Sequence, residues 1–336
     1  MNKFKDWCTD IFDDIGVFVI SGFGIVVGTL LFVAVAYFIQ EPSNVDVGKH
    51  QRDSNGVLGY TLAATTEEMI GTLLDKPLGY VSNDIAPPWI LLDDITNWEQ
   101  GVITQLQYLT LSFYQDFSRP SGSQSLEDPD LKVVQGKLRN ETGRWIATDY
   151  QTHLRNSQNA MNSYIKRLLN DDPRDGQFTS KATSLHFWLN QVHKSLGDLS
   201  QKLSASRGDI KVDTALAGEK GDVAWAGSYK TIIQTPYLEV DDVYWNARGQ
   251  AWALLAAFKA IRTDFAVTLE DKSAAPLVDQ IILSLEFVLR PVESPYIFNG
   301  SKHSYGYTPN YSQLINSDLT RASNTIGELL GLLSNG

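Results

Sequence analysis

The stretch that decides the predicted fold is Pro236–Phe265, PYLEVDDVYWNARGQAWALLAAFKAIRTDF. Leu254, Ile261 and Phe265 recur at helical spacing and form an apolar stripe. Small residues accompany that stripe and allow neighbouring helices to approach closely; they are Ala247, Gly249, Ala251, Ala253, Ala256 and Ala257. The stretch therefore predicts a central helix wrapped by others.

The same stretch carries an arginine between two tryptophans. Trp245 lies three residues before Arg248, and Trp252 lies four residues after it. A guanidinium group stacks well on indole rings, so the spacing predicts an arginine in the interior or at an interface. Asp241 lies seven residues before Arg248 and shares its helical face, where a partner could bridge the two.

Three carboxylates precede the helical pattern: Glu239, Asp241 and Asp242. Acids at the start of a helix accept hydrogen bonds from free backbone N–H groups and interact favourably with the helix dipole. The alternative is that they line a cleft and perform acid–base chemistry. Both interpretations stay open at the level of sequence.

The rest of the large domain is predicted to be helical. One apolar face is spaced for a helix and comprises Trp98, Val102, Leu106, Leu109 and Phe113. Two long helical patterns, 146–170 and 179–206, are joined by a short connection, which favours antiparallel neighbours. Periodicity weakens in 207–234, which predicts a loop, and a last helix is expected at 313–333. The fold class is therefore all-α, a multi-helix bundle-like domain at 57–336.

Near the start of the chain, Ile15–Gln40 carries no charged residue and is long enough to span a bilayer. We predict a single transmembrane helix at 15–40, preceded by a cytoplasmic tail at 1–14 and followed by a polar linker at 41–56. Lys3 and Lys5 precede the span and favour a cytoplasmic N-terminus. The main domain is then expected in the periplasm of a Gram-negative bacterium.

Two features predict contacts with other proteins. Gly24 and Gly28 form a GxxxG pattern that permits close approach of transmembrane helices, although glycine is also common in such helices without that role. An irregular aromatic segment, Tyr296–Tyr311, includes Tyr305 and Tyr307 and is expected to be an exposed interaction surface.

Composition and missing motifs narrow the function. The net charge of −11 repels phosphate backbones, so we expect no nucleic-acid partner. The one cysteine, Cys8, excludes an intramolecular disulfide. HExxH, a phosphate-binding glycine loop and a nucleophile elbow are absent from the sequence. We therefore predict no cofactor, no metal and no catalytic residue, and leave enzymatic activity open with a preference against it.

Several segments resemble a known family: GYVSNDIAPPWILLDDITNWEQGV, DFSRPSGSQSLEDPDL, LGDLSQKLSAS and EVDDVYWNARGQAWALLAAFKAIRTDF. They are similar to domain-of-unknown-function family 2333 of uncharacterised proteobacterial proteins, and the similarity covers most of the chain beyond the apolar segment. The resemblance implies an inner-membrane protein with one N-terminal anchor. It implies no activity and no catalytic residues.

These observations favour a membrane-anchored periplasmic scaffold, adaptor or assembly factor of a cell-envelope complex, without enzymatic activity. The expected partners are other membrane or periplasmic proteins, or a second copy of the chain through the transmembrane helix. One alternative is an envelope hydrolase or lyase that uses Glu239, Asp241 and Asp242. Another is a ligand-sensing module that signals through a membrane partner.

Overall fold

The computed structural model describes residues 26, 28–29, 41–81, 93–119, 127–139, 148–170, 172, 175–206, 209–212, 230–233, 235–236, 239–292, 297 and 310–334. The helices are α1 (Val47–Asp53), α2 (Tyr60–Asp75), α3 (Asp93–Ser112, continued by a π-helical turn at Phe113–Phe117), α4 (Pro129–Leu138), α5 (Thr148–Leu168), α6 (Ala182–Ala205), α7 (Val240–Asp264), α8 (Ala266–Asp271), α9 (Ala275–Val288) and α10 (Tyr311–Ser334). Most of the described chain is helical, which confirms the predicted helical class.

Helix α7 is the centre of the domain, as the opening stretch predicted. Its most extensive partner is α3, and it also packs against α9 and α2. The small residues Ala247, Ala251 and Ala260 are fully buried, because neighbouring helices cover α7 on several sides. The predicted apolar face of α3, from Trp98 to Phe113, is buried, and Trp98 packs edge-on against Trp252 of α7.

Two glycines allow α3 and α7 to touch backbone to backbone. A Cβ atom added at Gly249 of α7 would lie 2.0 Å from the carbonyl oxygen of Trp98. One added at Gly101 of α3 would lie 2.2 Å from the carbonyl oxygen of Asn246. These distances are far below van der Waals contact, so each helix meets the other at a position that has no side chain. The crossing fixes α3 and α7 as the rigid core.

The prediction that the two long helices α5 and α6 pack as antiparallel neighbours is wrong for the described residues. Helix α5 packs on α4 and α2, whereas α6 packs mainly on α10. The connection between them is drawn into the core, because Phe178 packs against Phe113, Phe117 and Phe265. This anchored aromatic side chain directs α6 away from α5.

The segment 207–234, predicted as a loop, contains two short strands. Strand β1 (Asp209–Val212) pairs antiparallel with β2 (Lys230–Ile233), with Asp209 opposite Ile233. Both strands contain β-branched residues, which suit a pleated backbone. The helical domain therefore carries a small two-stranded ribbon in a segment whose weak helical periodicity predicted a loop.

Residues 41–56, predicted as a polar linker, contain α1. Asp46 precedes this helix, and its carboxylate accepts a hydrogen bond from the backbone N–H of Lys49. Val47 is buried in the core. No helix in the described part of the chain is long and apolar enough to cross a membrane, and the predicted span 15–40 lies almost wholly outside that part.

Candidate functional site

The site is built around Arg248, which α7 holds in the interior with 2% of its surface exposed. Its guanidinium group binds the carboxylate of Glu41 in a bidentate ion pair: Nε lies 2.6 Å from Oε1, and a terminal nitrogen lies 2.5 Å from Oε2. Glu41 is the first charged residue after the apolar segment 15–40. The sequence predicted a buried arginine but did not identify this partner, and Asp241 is not its carboxylate.

The remaining donors of Arg248 bind the end of α9. One terminal nitrogen donates to the carbonyl oxygens of Val288, at 2.8 Å, and Arg290, at 3.0 Å. The other makes a longer contact of 3.5 Å with the carbonyl oxygen of Leu289. Helix ends leave carbonyl groups without partners, and a cation there is favourable. All five N–H donors of the guanidinium group are therefore engaged.

Aromatic rings surround this ion pair. The guanidinium carbon of Arg248 lies 5.8 Å from the ring of Trp245 and 5.9 Å from that of Tyr244. Trp245 thus flanks the arginine as predicted, whereas Tyr244 takes the place expected for Trp252. Trp252 instead donates its indole N–H to the carbonyl oxygen of Ser43, at 3.2 Å. Ser43 is therefore the second residue after the apolar segment, besides Glu41, that binds α7.

Electrostatics keep this arginine charged. Burial lowers the pKa of Arg248, but the hydrogen bonds and the negative charge of Glu41 outweigh burial, and the net shift is upward. Burial also raises the pKa of Tyr244, which keeps its hydroxyl group neutral. Arg248 stays charged in a protected environment, and its guanidinium group is bound entirely by groups of the same chain, as in a structural clamp. We use the name exit clamp for this group of residues, because Glu41 is where the chain leaves the apolar segment 15–40. It comprises Glu41, Ser43, Arg248, Trp252 and the carbonyl groups at the end of α9.

The three predicted carboxylates lie at the start of α7. Glu239 is exposed and precedes the helix, while Asp241 and Asp242 lie in its first turn and are half-buried. Asp242 accepts a hydrogen bond from the side-chain amide of Asn97, at 2.7 Å. Asp241 accepts one from the backbone N–H of Asp242, at 3.2 Å. Glu239 at the N-cap makes no capping hydrogen bond with its side chain, and the contact between Asp242 and Asn97 joins the start of α7 to α3.

A polar network continues from there into the core. Asn246 donates to the carbonyl oxygen of Asn97 and accepts a hydrogen bond from Gln250, at 3.3 and 2.8 Å. The carbonyl oxygen of the Gln250 side chain accepts from Gln105 at 2.7 Å and from Ser195 at 3.0 Å. The network joins α3, α6 and α7, and buried polar networks of this kind fix one helix register.

A buried lysine–glutamate pair, which the sequence did not indicate, links the end of α2 to α3. Lys76 lies 2.5 Å from Glu99, and the side chains are 4% and 0% exposed. Glu99 also accepts from the backbone N–H of Val81, at 3.0 Å. Burial raises the pKa of Glu99 to about 8, although Lys76 and the N–H of Val81 act in the opposite direction. The pair holds the turn at Leu78 and Gly79, where both φ angles are positive.

Four predicted site residues remain, Gly24, Gly28, Tyr305 and Tyr307. Gly28 is exposed, and a Cβ added there would meet no heavy atom within 4 Å. Gly24, Tyr305 and Tyr307 lie outside the described residues. Within the described ranges, no group of three or more His, Cys, Asp or Glu side chains is placed to hold a metal ion.

Comparison with known proteins gives one match. A family model described as "Uncharacterized protein conserved in bacteria (DUF2333)" matches residues 14–336. The match includes the apolar segment as well as the helical domain. No curated protein and no solved structure matches the chain.

Proposed function

We propose a function that rests on the residues of this chain. The chain belongs to the DUF2333 family of uncharacterised bacterial proteins, and that membership supplies no activity. The protein is a non-enzymatic scaffold, adaptor or assembly factor of a cell-envelope complex. Residues 15–40 anchor it in the inner membrane of a Gram-negative bacterium, and the helical domain acts in the periplasm. Its partners are membrane or periplasmic proteins, including a second copy of the chain.

The exit clamp carries this proposal. Glu41 directly follows the apolar segment, and Arg248 binds it from the middle of the central helix. Ser43 is bound in turn by Trp252, one turn further along that helix. An anchor that only keeps a domain near a membrane needs no such contacts, since a flexible linker is sufficient. A clamped exit fixes the orientation of the domain on its anchor, which suits a protein that positions partners.

The exit clamp and the nearby acids favour the scaffold over the enzyme alternative. Every donor of Arg248 is engaged within the chain, so this group has none left for a substrate anion. Asp242 binds Asn97 across the main helix crossing. Arg248 and Asp242 therefore hold parts of the fold together, and a catalytic role would require them to give up these contacts.

The proposal is tested by photo-crosslinking in living cells. A photoreactive amino acid is placed at Gly24, Gly28, Tyr305 or Tyr307, and crosslinked products are identified by mass spectrometry. The control position is Val267 of α8, which is exposed at the opposite end of α7. Each variant is also made with Glu41→Gln, which weakens the exit clamp.

We expect a defined partner of fixed stoichiometry, or a crosslinked dimer through Gly24 and Gly28, that is absent at Val267. The yield should fall in the Glu41→Gln background although the protein remains in the membrane at equal abundance. An absence of specific products at all four positions would argue against the scaffold.

A further inference from the structure

Four residues near the exit clamp carry side chains that are half-buried or exposed. Trp245 and Tyr311 are half-buried, and the ring of each packs edge-on against the ring of Tyr244. Phe287 is half-buried, and Arg290 is exposed with its guanidinium carbon 4.1 Å from the centre of the Phe287 ring. We call Trp245, Phe287, Arg290 and Tyr311 the exit rim.

The exit rim has the composition of a membrane interface. Tryptophan and tyrosine are enriched at the level of lipid headgroups, and arginine extends its charged end there while its stem covers apolar surface. Among the tryptophans that the structure describes, Trp98, Trp188 and Trp252 are almost fully buried, whereas Trp245 is half-buried, with its indole N–H inside and part of its ring exposed. The stacked Arg290 and Phe287 at the end of α9 present both an apolar ring and a phosphate-binding group.

The position of the exit rim follows from the clamp. One guanidinium group binds both the carboxylate of Glu41 and the carbonyl oxygen of Arg290. The end of α9 is therefore adjacent to the residue at which the uncharged run of 26 residues from Ile15 to Gln40 ends. If that run spans a bilayer, Glu41 lies at its boundary, and the layer of headgroups there is about 5–8 Å thick.

We infer that the exit rim lies in the headgroup layer of the bilayer that residues 15–40 enter, with Arg290 at the lipid phosphates and the rings of Trp245, Phe287 and Tyr311 beside it. This inference rests on the anchor in the proposed function and adds the face that the domain presents to the membrane. The net charge of −11 opposes general adhesion to anionic lipid. The exit rim therefore contacts the bilayer because the clamp holds it there, not because the domain is attracted from solution.

The opposite end of the domain provides the control. Helix α7 continues for 16 residues after Arg248, which is about 24 Å at 1.5 Å per residue. Val267 of α8 lies just beyond that end and is 70% exposed. A probe at Val267 should remain in water while a probe at Arg290 contacts lipid.

The experiment uses the full chain with Cys8→Ser, which removes the one native cysteine. Arg290→Cys and Val267→Cys are each labelled with an environment-sensitive fluorophore and reconstituted into vesicles of phosphatidylethanolamine and phosphatidylglycerol. Parallel vesicles contain lipids with a spin label at the headgroup, and quenching is the ratio of the two intensities. Flotation of the vesicles measures insertion, and circular dichroism confirms the fold of each variant.

We expect the Arg290 probe to be quenched several-fold more than the Val267 probe, and Glu41→Gln to reduce that ratio. Equal quenching of the two probes in protein that floats with the vesicles would overturn the inference and leave the anchor intact. Failure of the protein to float would overturn the anchor itself, and with it both the proposed function and this inference. The two failures are therefore distinguishable.

Discussion

Glu41→Gln is expected to destabilise the domain strongly, although Glu41 lies at the edge of the predicted anchor. The substitution keeps the size of the side chain and one acceptor oxygen, and it removes the negative charge that compensates Arg248. The guanidinium group then remains buried with neutral acceptors alone, which are the amide oxygen at position 41 and the carbonyl groups at the end of α9.

The expected magnitude follows from the burial of the pair. Removal of one partner of a fully buried ion pair costs about 3–5 kcal/mol. The side chain of Glu41 is 19% exposed, and Arg248 keeps two carbonyl acceptors. Both facts reduce the cost, so we expect a loss of about 2–3 kcal/mol from a domain stability on the order of 5–15 kcal/mol. The urea midpoint should fall by about 1 M with an unchanged m value.

The assay is urea unfolding of the full chain in detergent micelles, followed by tryptophan fluorescence. The matched control is Asp75→Asn, which neutralises the carboxylate of the exposed pair between Asp75 and Arg155 at 3.3 Å. Exposed pairs contribute little, so the control should change stability by less than about 0.5 kcal/mol. Arg248→Met combined with Glu41→Gln measures the coupling energy of the pair.

A loss in Glu41→Gln no larger than that in Asp75→Asn would refute the reasoning. The same holds if the double-mutant cycle returns no coupling between Glu41 and Arg248. Either result would mean that the exit of the chain is not energetically joined to the central helix.

Three further predictions concern the core. Gly249→Ala should lower the free energy of unfolding by about 3 kcal/mol or more in urea, since its Cβ would lie 2.0 Å from the Trp98 carbonyl oxygen. The control Gly136→Ala, in open space on a helix, should raise it by about 0.5–1 kcal/mol. Equal effects of the two substitutions would contradict the backbone crossing. Burial raises the pKa of Glu99 from 4.5 to about 8, so the folded state holds a proton that the unfolded state lacks between these values, and stability falls as pH rises through this window. That loss of stability should amount to about 2 kcal/mol between pH of about 6.5 and 8 in urea titrations, and Glu99→Gln should abolish it. An unchanged slope of stability against pH in Glu99→Gln would contradict this assignment. Asp264→Ala should cost about 2 kcal/mol by the same unfolding assay, because the Asp264 carboxylate accepts from the backbone N–H of Leu62 at the start of α2, and a neutral effect would exclude this cap.

The helices that could be predicted from the sequence are those whose apolar spacing is local. The face from Trp98 to Phe113 is buried as expected, and α10 begins and ends within two residues of its predicted bounds. The small residues of α7 indicated a central helix, and the structure confirms it. In each case the information lies within one stretch of chain, because a helix is periodic in its own residues.

The features that could not be predicted depend on residues far apart in the chain. Arg248 was expected in the interior, but its partner Glu41 is 207 positions away and lay in a presumed linker. Gly101 and Gly249 have meaning only as a pair, since each meets the backbone of the other helix. Phe178 lies in a connection without helical periodicity, so its sequence does not indicate the aromatic contacts that it makes with Phe113 and Phe117. Tertiary packing, not local propensity, decides these positions.

The most direct test of the proposed scaffold is the size and composition of membrane complexes, measured by native electrophoresis and mass spectrometry. Cells that make the full chain are compared with cells that make only residues 1–40. We expect at least one envelope complex to lose mass and defined components when the helical domain is absent. Complexes of identical size and composition in the two strains would contradict it.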